Sequence, residues 1–147
     1  MGCAAPKLMV NLKTSGELNQ NEQGESLPVL VRIYLLRQAQ KFTDADFNTL
    51  WKSDEATLGA DIVVREEVTL FPDSSYVFEF ERVKKSGAAY LAVVGVFRKP
   101  TEDCWRQLIE TKTIKKRVAL RLSGQCIEIV PEEKPRPKFR VEEDTGL

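Results

Sequence analysis

The spacing of apolar residues changes within residues 28–51, and this change constrains the fold more than any other stretch of the sequence. Residues 29–36 place apolar side chains at alternate positions, and a period of two predicts a β-strand. Thr43 then offers a helix N-cap, with Asp46 three residues later, where a carboxylate can answer the amide of the cap. We therefore predict a strand that feeds a short helix over residues 44–52.

The predicted helix carries an aromatic face and several acids. Phe42 and Phe47 lie at the staple positions on either side of the cap, and Phe47, Leu50 and Trp51 share one face. We expect these four side chains to pack the helix on the fold. The acids of this region are interpreted as helix-start charges, because their spacing lacks the EF-hand pattern of a calcium site. They are Asp44, Asp46, Asp54 and Glu55.

Other alternating runs predict further strands at residues 8–12, 62–70, 76–80, 90–97, 118–122 and 127–130. The run at 90–97 is apolar on both sides, which is typical of a central strand. Residues 104–110 fit either a strand or one helical face. About seven short strands separated by turns predict a mainly β fold, a two-sheet β-sandwich with a short helical insertion between strands 2 and 3.

The 147 residues divide into one domain and two flanking segments. We predict a leader at residues 1–7, a β-sandwich domain at 8–130 and a flexible charged C-terminal tail at 131–147, where prolines and charges cannot build a core. Residues 14–27 are polar and hold two glycines, which predicts a long exposed loop between the first two strands. Long loops of this kind are often binding elements.

Composition limits the chemistry. The sequence has no histidine, the commonest general base and metal ligand, so a Ser–His or Cys–His pair is impossible. The cysteines lack close metal-ligand spacing. Lys plus Arg and Asp plus Glu are both 22, which argues against a nucleic acid partner. We expect a protein that is not an enzyme and needs no cofactor or metal, with a carboxylate-based hydrolase as the weakest hypothesis.

An ordered set of residues resembles a known family over about residues 8–130. The matching residues are Pro28, the RIYLL of 32–36, Phe42, the ADF of 45–47, Leu50, the LGAD of 58–61, Pro72, Leu91 to Arg98, and Trp105-Arg106. In this order they resemble the type VI secretion lipoproteins known as TssJ or SciN. The resemblance implies a transthyretin-like β-sandwich on an outer-membrane lipoprotein that faces the periplasm. Its implied partner is the periplasmic C-terminal region of TssM, with TssL in the same complex.

The resemblance also implies that the loop between the first two strands contacts TssM. The tip of that loop comprises Asn19, Gln20, Asn21, Glu22, Gln23, Gly24 and Glu25. Leu18 and Leu27 are its only large apolar side chains, so we expect it to bind as a rim or by backbone pairing, with help from neighbouring surface. The alternatives are a solvated connection, or an independent periplasmic β-sandwich module that binds a peptide or glycan.

The three cysteines have separate interpretations. Cys3 is either the lipid-bearing first residue of a mature lipoprotein, part of an N-myristoylation signal, or unmodified; Pro6 stands where the myristoylation motif needs Ser or Thr. In the family's context, Ala4 after this cysteine fits delivery to the outer membrane. Cys104 and Cys126 are either joined by a disulfide in an oxidising periplasm or two separate thiols.

Overall fold

The computed structural model describes residues 7–81 and 83–131, and within them eight strands form two four-stranded sheets packed as a β-sandwich. The strands are β1 (Lys7–Leu18), β2 (Val29–Leu36), β3 (Ile62–Leu70), β4 (Ser75–Glu81), β5 (Tyr90–Val96), β6 (Arg106–Glu110), β7 (Arg117–Gly124) and β8 (Cys126–Val130). The helices are α1 (Gln40–Asp44), α2 (Phe47–Leu58) and α3 (Val83–Ser86). The predicted sandwich with a helical insertion between strands 2 and 3 is confirmed.

Each sheet has a central pair of strands with partners on both sides. The first sheet has the order β4-β1-β7-β8, in which β1 is antiparallel to β4 and parallel to β7. The second has the order β3-β2-β5-β6, with every pair antiparallel. The run predicted as a central strand is β5, between β2 and β6. β1 and β2, which flank the predicted binding loop, are therefore both held on two sides.

The core lies between the sheets and follows the alternation of the strands. Leu8, Val10 and Leu12 of β1 are buried, while the residues between them are not. β2 differs because helices cover the outer face of its sheet. Arg32 and Tyr34 point to that face and are nevertheless buried, with Arg32 donating hydrogen bonds to carbonyl oxygens of α2. A strand buried on both faces explains the nearly continuous apolar sequence.

The predicted helix start is wrong. Thr43 lies inside α1, where its hydroxyl donates to the Ala39 carbonyl at 3.0 Å. The second helix begins at Phe47 with Asp46 as its N-cap, and the Asp46 carboxylate accepts from the Thr49 amide at 2.8 Å. Thr43 and Asp46 are both good caps three residues apart, so the pattern of a capping box also fits two consecutive short helices.

The aromatic face of the insertion packs largely as expected. Phe42 and Leu50 are buried, and Phe47 packs partly buried against the core. Trp51 is the exception, since it is 37% exposed. Its ring lies 5.4 Å from the guanidinium carbon of Arg32, so the indole covers a buried cation instead of filling the core.

The acids of the insertion have different roles from one another. Asp46 is the N-cap of α2, a position that the sequence had assigned to Thr43, whereas Asp44 lies at the end of α1. Asp54 was expected to be a helix-start charge but is 5% exposed, and it accepts hydrogen bonds from Tyr34 and Arg65. α2 is kinked at Ser53, where φ is −141° and ψ is 36°, so Asp54 does begin a helical turn as predicted. The prediction missed its burial, because its partners lie on β2 and β3.

The predicted loop at 14–27 is too long, because β1 continues to Leu18. Thr14 pairs with β7, and after a shift of register Leu18 pairs with Gly124. Polar side chains did not prevent strand formation: the Thr14 hydroxyl donates to a carbonyl of the turn that follows β3. The connection between β1 and β2 is therefore residues 19–28.

The ambiguous segment after Pro100 forms the edge strand β6, preceded by the buried Trp105. Across residues 7–81 and 83–131, no helix has the length and apolar character needed to cross a membrane.

Candidate partner-binding site

Four connections meet at one end of the sandwich, which we call the loop end. They are residues 19–28, 71–74, 97–105 and 125. Backbone hydrogen bonds tie them to neighbouring strand ends, including one from the Asn19 amide to the carbonyl of Gly124, the last residue of β7, at 2.8 Å. Lys7, the first residue of β1, lies at the opposite end, where it pairs with Glu81.

The connection 19–28 has a fixed shape at both its base and its tip. The Leu27 amide donates to the Leu18 carbonyl at 3.0 Å and closes the base. At the tip, Asn21 Oδ1 accepts from the amides of Gln23 and Glu25 at 2.9 and 3.0 Å, and Asn21 Nδ2 donates to the Glu25 carboxylate at 2.7 Å. Asn21 thus builds a local turn that holds the loop in one conformation.

Asn19 fastens the loop to the rest of the loop end. It is 4% exposed and has a φ of 50°, in the left-handed region that asparagine tolerates. Its Nδ2 donates to the Pro28 carbonyl and its Oδ1 accepts from the Arg98 amide, both at 2.9 Å. This residue therefore joins the two ends of the loop and ties them to the segment that follows β5.

A small charged cluster supports the exposed tip. Glu22 accepts from Arg98 Nη2 at 3.0 Å and lies 3.4 Å from the Lys99 ammonium. Arg98 Nη1 also donates to the Gln20 carbonyl at 3.2 Å. Hydrogen bonding to the backbone, followed by the bond and charge of Arg98, lowers the pKa of the Glu22 carboxyl below its usual value. The loop thus presents an ionised carboxylate that is already paired.

The structure joins Cys104 and Cys126 in a disulfide, with Cα atoms 4.8 Å apart. Beside it, the Ile127 amide donates to the Cys104 carbonyl at 2.7 Å, and the Lys99 amide donates to Gln125 Oε1 at 3.2 Å. The disulfide therefore fixes the segment 97–105, which carries Arg98 and Lys99, to the start of β8.

The turn 71–74 borders the loop on another side. The Phe71 carbonyl accepts from the Thr14 hydroxyl and the Ser74 hydroxyl, both at 2.6 Å, and the Asp73 amide donates to the Ser15 carbonyl at 3.1 Å. The turn is therefore pinned to the last residues of β1, and the Phe71 side chain is left 59% exposed.

An open depression of about 350 Å³ lies where α1 meets the segment 97–105, lined in part by Phe42, Asp103 and Arg106. Arg106 donates to the carbonyls of Phe42 and Ala45 at 2.8 and 2.7 Å and to the Asp103 carboxylate at 3.1 Å. Its guanidinium carbon also lies 4.6 Å from the ring centre of Trp105. Through these contacts Arg106 holds α1 against β6. Among residues 7–81 and 83–131, no group of three or more Cys, Asp or Glu is arranged to hold a metal.

The structure brings the predicted tip residues together on one loop, although Asn19 is buried at its base and the other six are wholly or partly exposed. Cys3 and residues 132–147 lie outside the described residues. Sequence reasoning missed Arg98, Lys99 and Phe71. A basic pair directly after an apolar strand and an aromatic residue directly before a Pro-Asp turn were the available signals.

Comparison with known proteins gives one family. The family model T6SS-SciN, described as type VI secretion lipoprotein, VasD, EvfM, TssJ, VC_A0113, matches residues 6–126. No curated protein sequence matches the chain at a significant level.

Solved structures share the fold. The T6SS lipoprotein TssJ1 from Pseudomonas aeruginosa matches with a TM-score of 0.77 and 24% identity, over 89% of this chain and 99% of that one. A chain of the structure described as the T6SS protein TssM C-terminal domain (869–1107) from EAEC matches with a TM-score of 0.76 and 22% identity, over 86% and 98% of the two chains. A chain of a structure described as a type VI membrane complex matches with a TM-score of 0.77 and 23% identity, over 86% and 99%.

Proposed function

The chain belongs to the TssJ family of type VI secretion lipoproteins, and from this membership we propose that it anchors the secretion complex to the outer membrane by binding the periplasmic C-terminal region of TssM. In this proposal a lipid on Cys3 holds one end of the protein to the periplasmic face of the outer membrane. The loop end binds TssM at the other end of the protein. The family is a structural component of a secretion complex, and tethering requires no catalytic chemistry.

The single observation that carries the proposal is the course of β1. This strand of 12 residues begins with Lys7, four residues after Cys3, and ends with Leu18, directly before the loop 19–28. At about 3.3 Å per residue it spans roughly 36 Å. The strand therefore begins four residues after the proposed lipid site and ends directly before the proposed binding loop.

The pairing of β1 suits a strand that carries load. It is hydrogen-bonded to β4 on one side and to β7 on the other, so a pull along it must shear two ladders at once. Its inward side chains also lie in the core, as shown by the complete burial of Val10. A tension applied between the lipid and the loop would thus be distributed over the whole first sheet.

The loop supports a protein contact because it is exposed and preorganised. The side-chain bonds of Asn21 and the pairing of Glu22 with Arg98 fix its shape before any partner arrives, which reduces the entropy lost on binding. The chains that match this fold in structures described by a TssM domain and by a type VI membrane complex support TssM as the partner.

The lipid at Cys3 is proposed from the sequence and the family. Each buried methylene of an acyl chain contributes about 0.8 kcal/mol, so several chains on one cysteine hold far better than one. Metabolic labelling with a palmitate analogue tests this part, since Cys3→Ser should remove both the label and the outer-membrane fraction of the protein.

Capture of the cognate TssM domain tests the protein contact. Replacing residues 20–25 with a short Gly-Ser linker keeps Asn19 in place and should abolish capture while leaving the thermal unfolding midpoint nearly unchanged. A matched control replaces Lys115 and Lys116 with alanine, because these exposed residues lie near Met9 at the opposite end. Undiminished capture by the linker variant would overturn the proposal.

A further inference from the structure

Phe71 is the most exposed large apolar side chain of the described residues, at 59%. Tyr76 and Val77 on the edge strand β4 are also exposed, at 43% and 47%, but as successive strand residues their side chains point to opposite faces of the first sheet. Phe71 is therefore a single exposed apolar side chain at the loop end. An exposed aromatic side chain is suited to a protein contact, because covering it releases its water.

The backbone at Phe71 is held in place. The Phe71 carbonyl is held by hydroxyls of Thr14 and Ser74 at 2.6 Å, and Leu70 directly before it pairs with Val29 of β2. A side chain on a fixed backbone costs no further backbone entropy when a partner covers it, and phenylalanine has only two rotatable side-chain bonds. Such an aromatic residue therefore contributes more to affinity than one on a mobile loop.

Phe71 adjoins the proposed binding loop. Val29–Leu70 is the last pair of the β2–β3 ladder at this end, and the residues that follow outward are Pro28, the last residue of the loop, and Phe71. The two segments also flank the same part of β1, since Ser26 donates to the Gly16 carbonyl at 2.6 Å and Asp73 lies beside Gly16. The loop 19–28 and the turn 71–74 therefore form one continuous surface.

The loop itself lacks an anchor. Its polar side chains are largely used within the loop end, as Asn21 is by Gln23 and Glu25 and as Glu22 is by Arg98. Tight protein interfaces centre on a buried aromatic or aliphatic side chain, with polar contacts around it that exclude water. The loop provides such a rim but not the centre.

We propose that Phe71 is the apolar anchor of the interface, inserted into an apolar pocket of the TssM domain, with the loop 19–28 as the polar rim beside it. This inference rests on the proposed function and adds a specific contact to it. A membrane surface fits less well as the occupant, because β1 starts four residues after the proposed lipid site and carries the chain roughly 36 Å from Lys7 to the loop end.

The test measures binding of the cognate TssM domain by calorimetry to the wild type, Phe71→Ala and Phe71→Tyr. Phe71→Ala should lower the affinity about 30-fold, the loss typical of a central aromatic contact, and Phe71→Tyr should largely retain it. Ile129→Ala is the matched control, since Ile129 is 46% exposed on the edge strand β8, and it should bind as the wild type does. Unchanged unfolding midpoints show that each variant is folded.

The outcomes separate this inference from the proposed function. If the linker variant of residues 20–25 loses TssM while Phe71→Ala binds normally, the anchor is wrong and the function stands. If the wild type itself does not bind, both fail. If Phe71→Ala binds TssM normally but loses binding to vesicles of outer-membrane phospholipid, Phe71 is a lipid contact and the inference is overturned.

Discussion

The phenol of Tyr34 on β2 donates a hydrogen bond to the carboxylate of Asp54 on α2, with 2.7 Å between Oη and Oδ2. Arg65 Nε donates to the same oxygen at 2.7 Å, and Arg32 Nη1 lies 3.5 Å from the other one. Burial alone raises the pKa of Asp54, but the bonds from Arg65 and Tyr34 and the charge of Arg32 outweigh it and hold that pKa below its usual value. An ionised carboxylate therefore fastens the helical insertion to the second sheet.

Asp54→Ala should lower the free energy of unfolding by about 3–5 kcal/mol, because it leaves the buried Arg32 without the carboxylate on α2 and removes the acceptor of Tyr34 and Arg65. Urea unfolding at neutral pH measures this loss. Glu55→Ala is the control, since Glu55 is the exposed neighbour on the same helix and its removal should change stability by less than about 0.5 kcal/mol. Equal unfolding midpoints for the two variants would contradict this role of Asp54.

The same carboxylate predicts how stability depends on pH. A folded-state pKa below the unfolded value of about 3.9 gives stability that is present above that value and is lost as pH falls through the folded pKa. Wild-type stability should thus decline below about pH 4, and Asp54→Asn should decline less steeply there. Between about pH 5.5 and 7 the stability of the wild type should change little, because the chain has no histidine. If the free energy of unfolding fell equally steeply below about pH 4 in the wild type and in Asp54→Asn, Asp54 would not be the cause of the decline.

Sequence periodicity predicted the framework because burial of alternate residues is a local pattern. The strands at 62–70 and 90–97 lie where they were expected, and the sandwich follows from their number and spacing. Arg32 was visible as one charge inside an apolar strand, but its partners on α2 and β3 are 22 and 35 residues away. No local pattern specifies which distant carboxylate meets a buried cation.

The errors at the insertion and the loop have the same origin. Thr43 and Asp46 are equally good caps by sequence, and the break between α1 and α2 is stabilised by Arg106, which holds the carbonyls of Phe42 and Ala45 from β6. The end of β1 appeared to be a loop because its residues are polar, yet the Thr14 hydroxyl bonds to the turn after β3 and the Ser15 hydroxyl to Ser123 on β7. In both places a distant contact decides between two locally allowed structures.

Gly95→Ala should destabilise the second sheet. A Cβ atom at this position would lie 2.6 Å from Cε2 of Phe97, which is buried, so the ring would have to shift within the core. Overpacking of this kind costs about 1–3 kcal/mol of unfolding free energy. The double variant Gly95→Ala with Phe97→Leu tests the cause by urea unfolding, because it should lose less than the two single effects added together. Strict additivity would show that Phe97 is not responsible.

The disulfide should stabilise the loop end through the chain it closes. Cys104 and Cys126 are 22 residues apart, so replacing both with serine should lower the free energy of unfolding by about 3 kcal/mol. Peptide mass mapping after periplasmic expression should find the two cysteines linked and resistant to alkylation. Ready alkylation of both in the unreduced protein would contradict the bond.

Asn19 allows backbone strain and hydrogen bonding to be separated at the base of the loop. Asn19→Ala should lower the free energy of unfolding by about 2–4 kcal/mol, because it leaves the Arg98 amide and the Pro28 carbonyl without their partner and places alanine at a φ of 50°. Asn19→Gly loses the same bonds without the strain and should be about 1 kcal/mol more stable than Asn19→Ala. Because the loop is fastened through this residue, both variants should also bind TssM more weakly, in the order of their stability. Full TssM affinity in a clearly destabilised Asn19→Ala would show that the partner does not depend on the loop's fixed position.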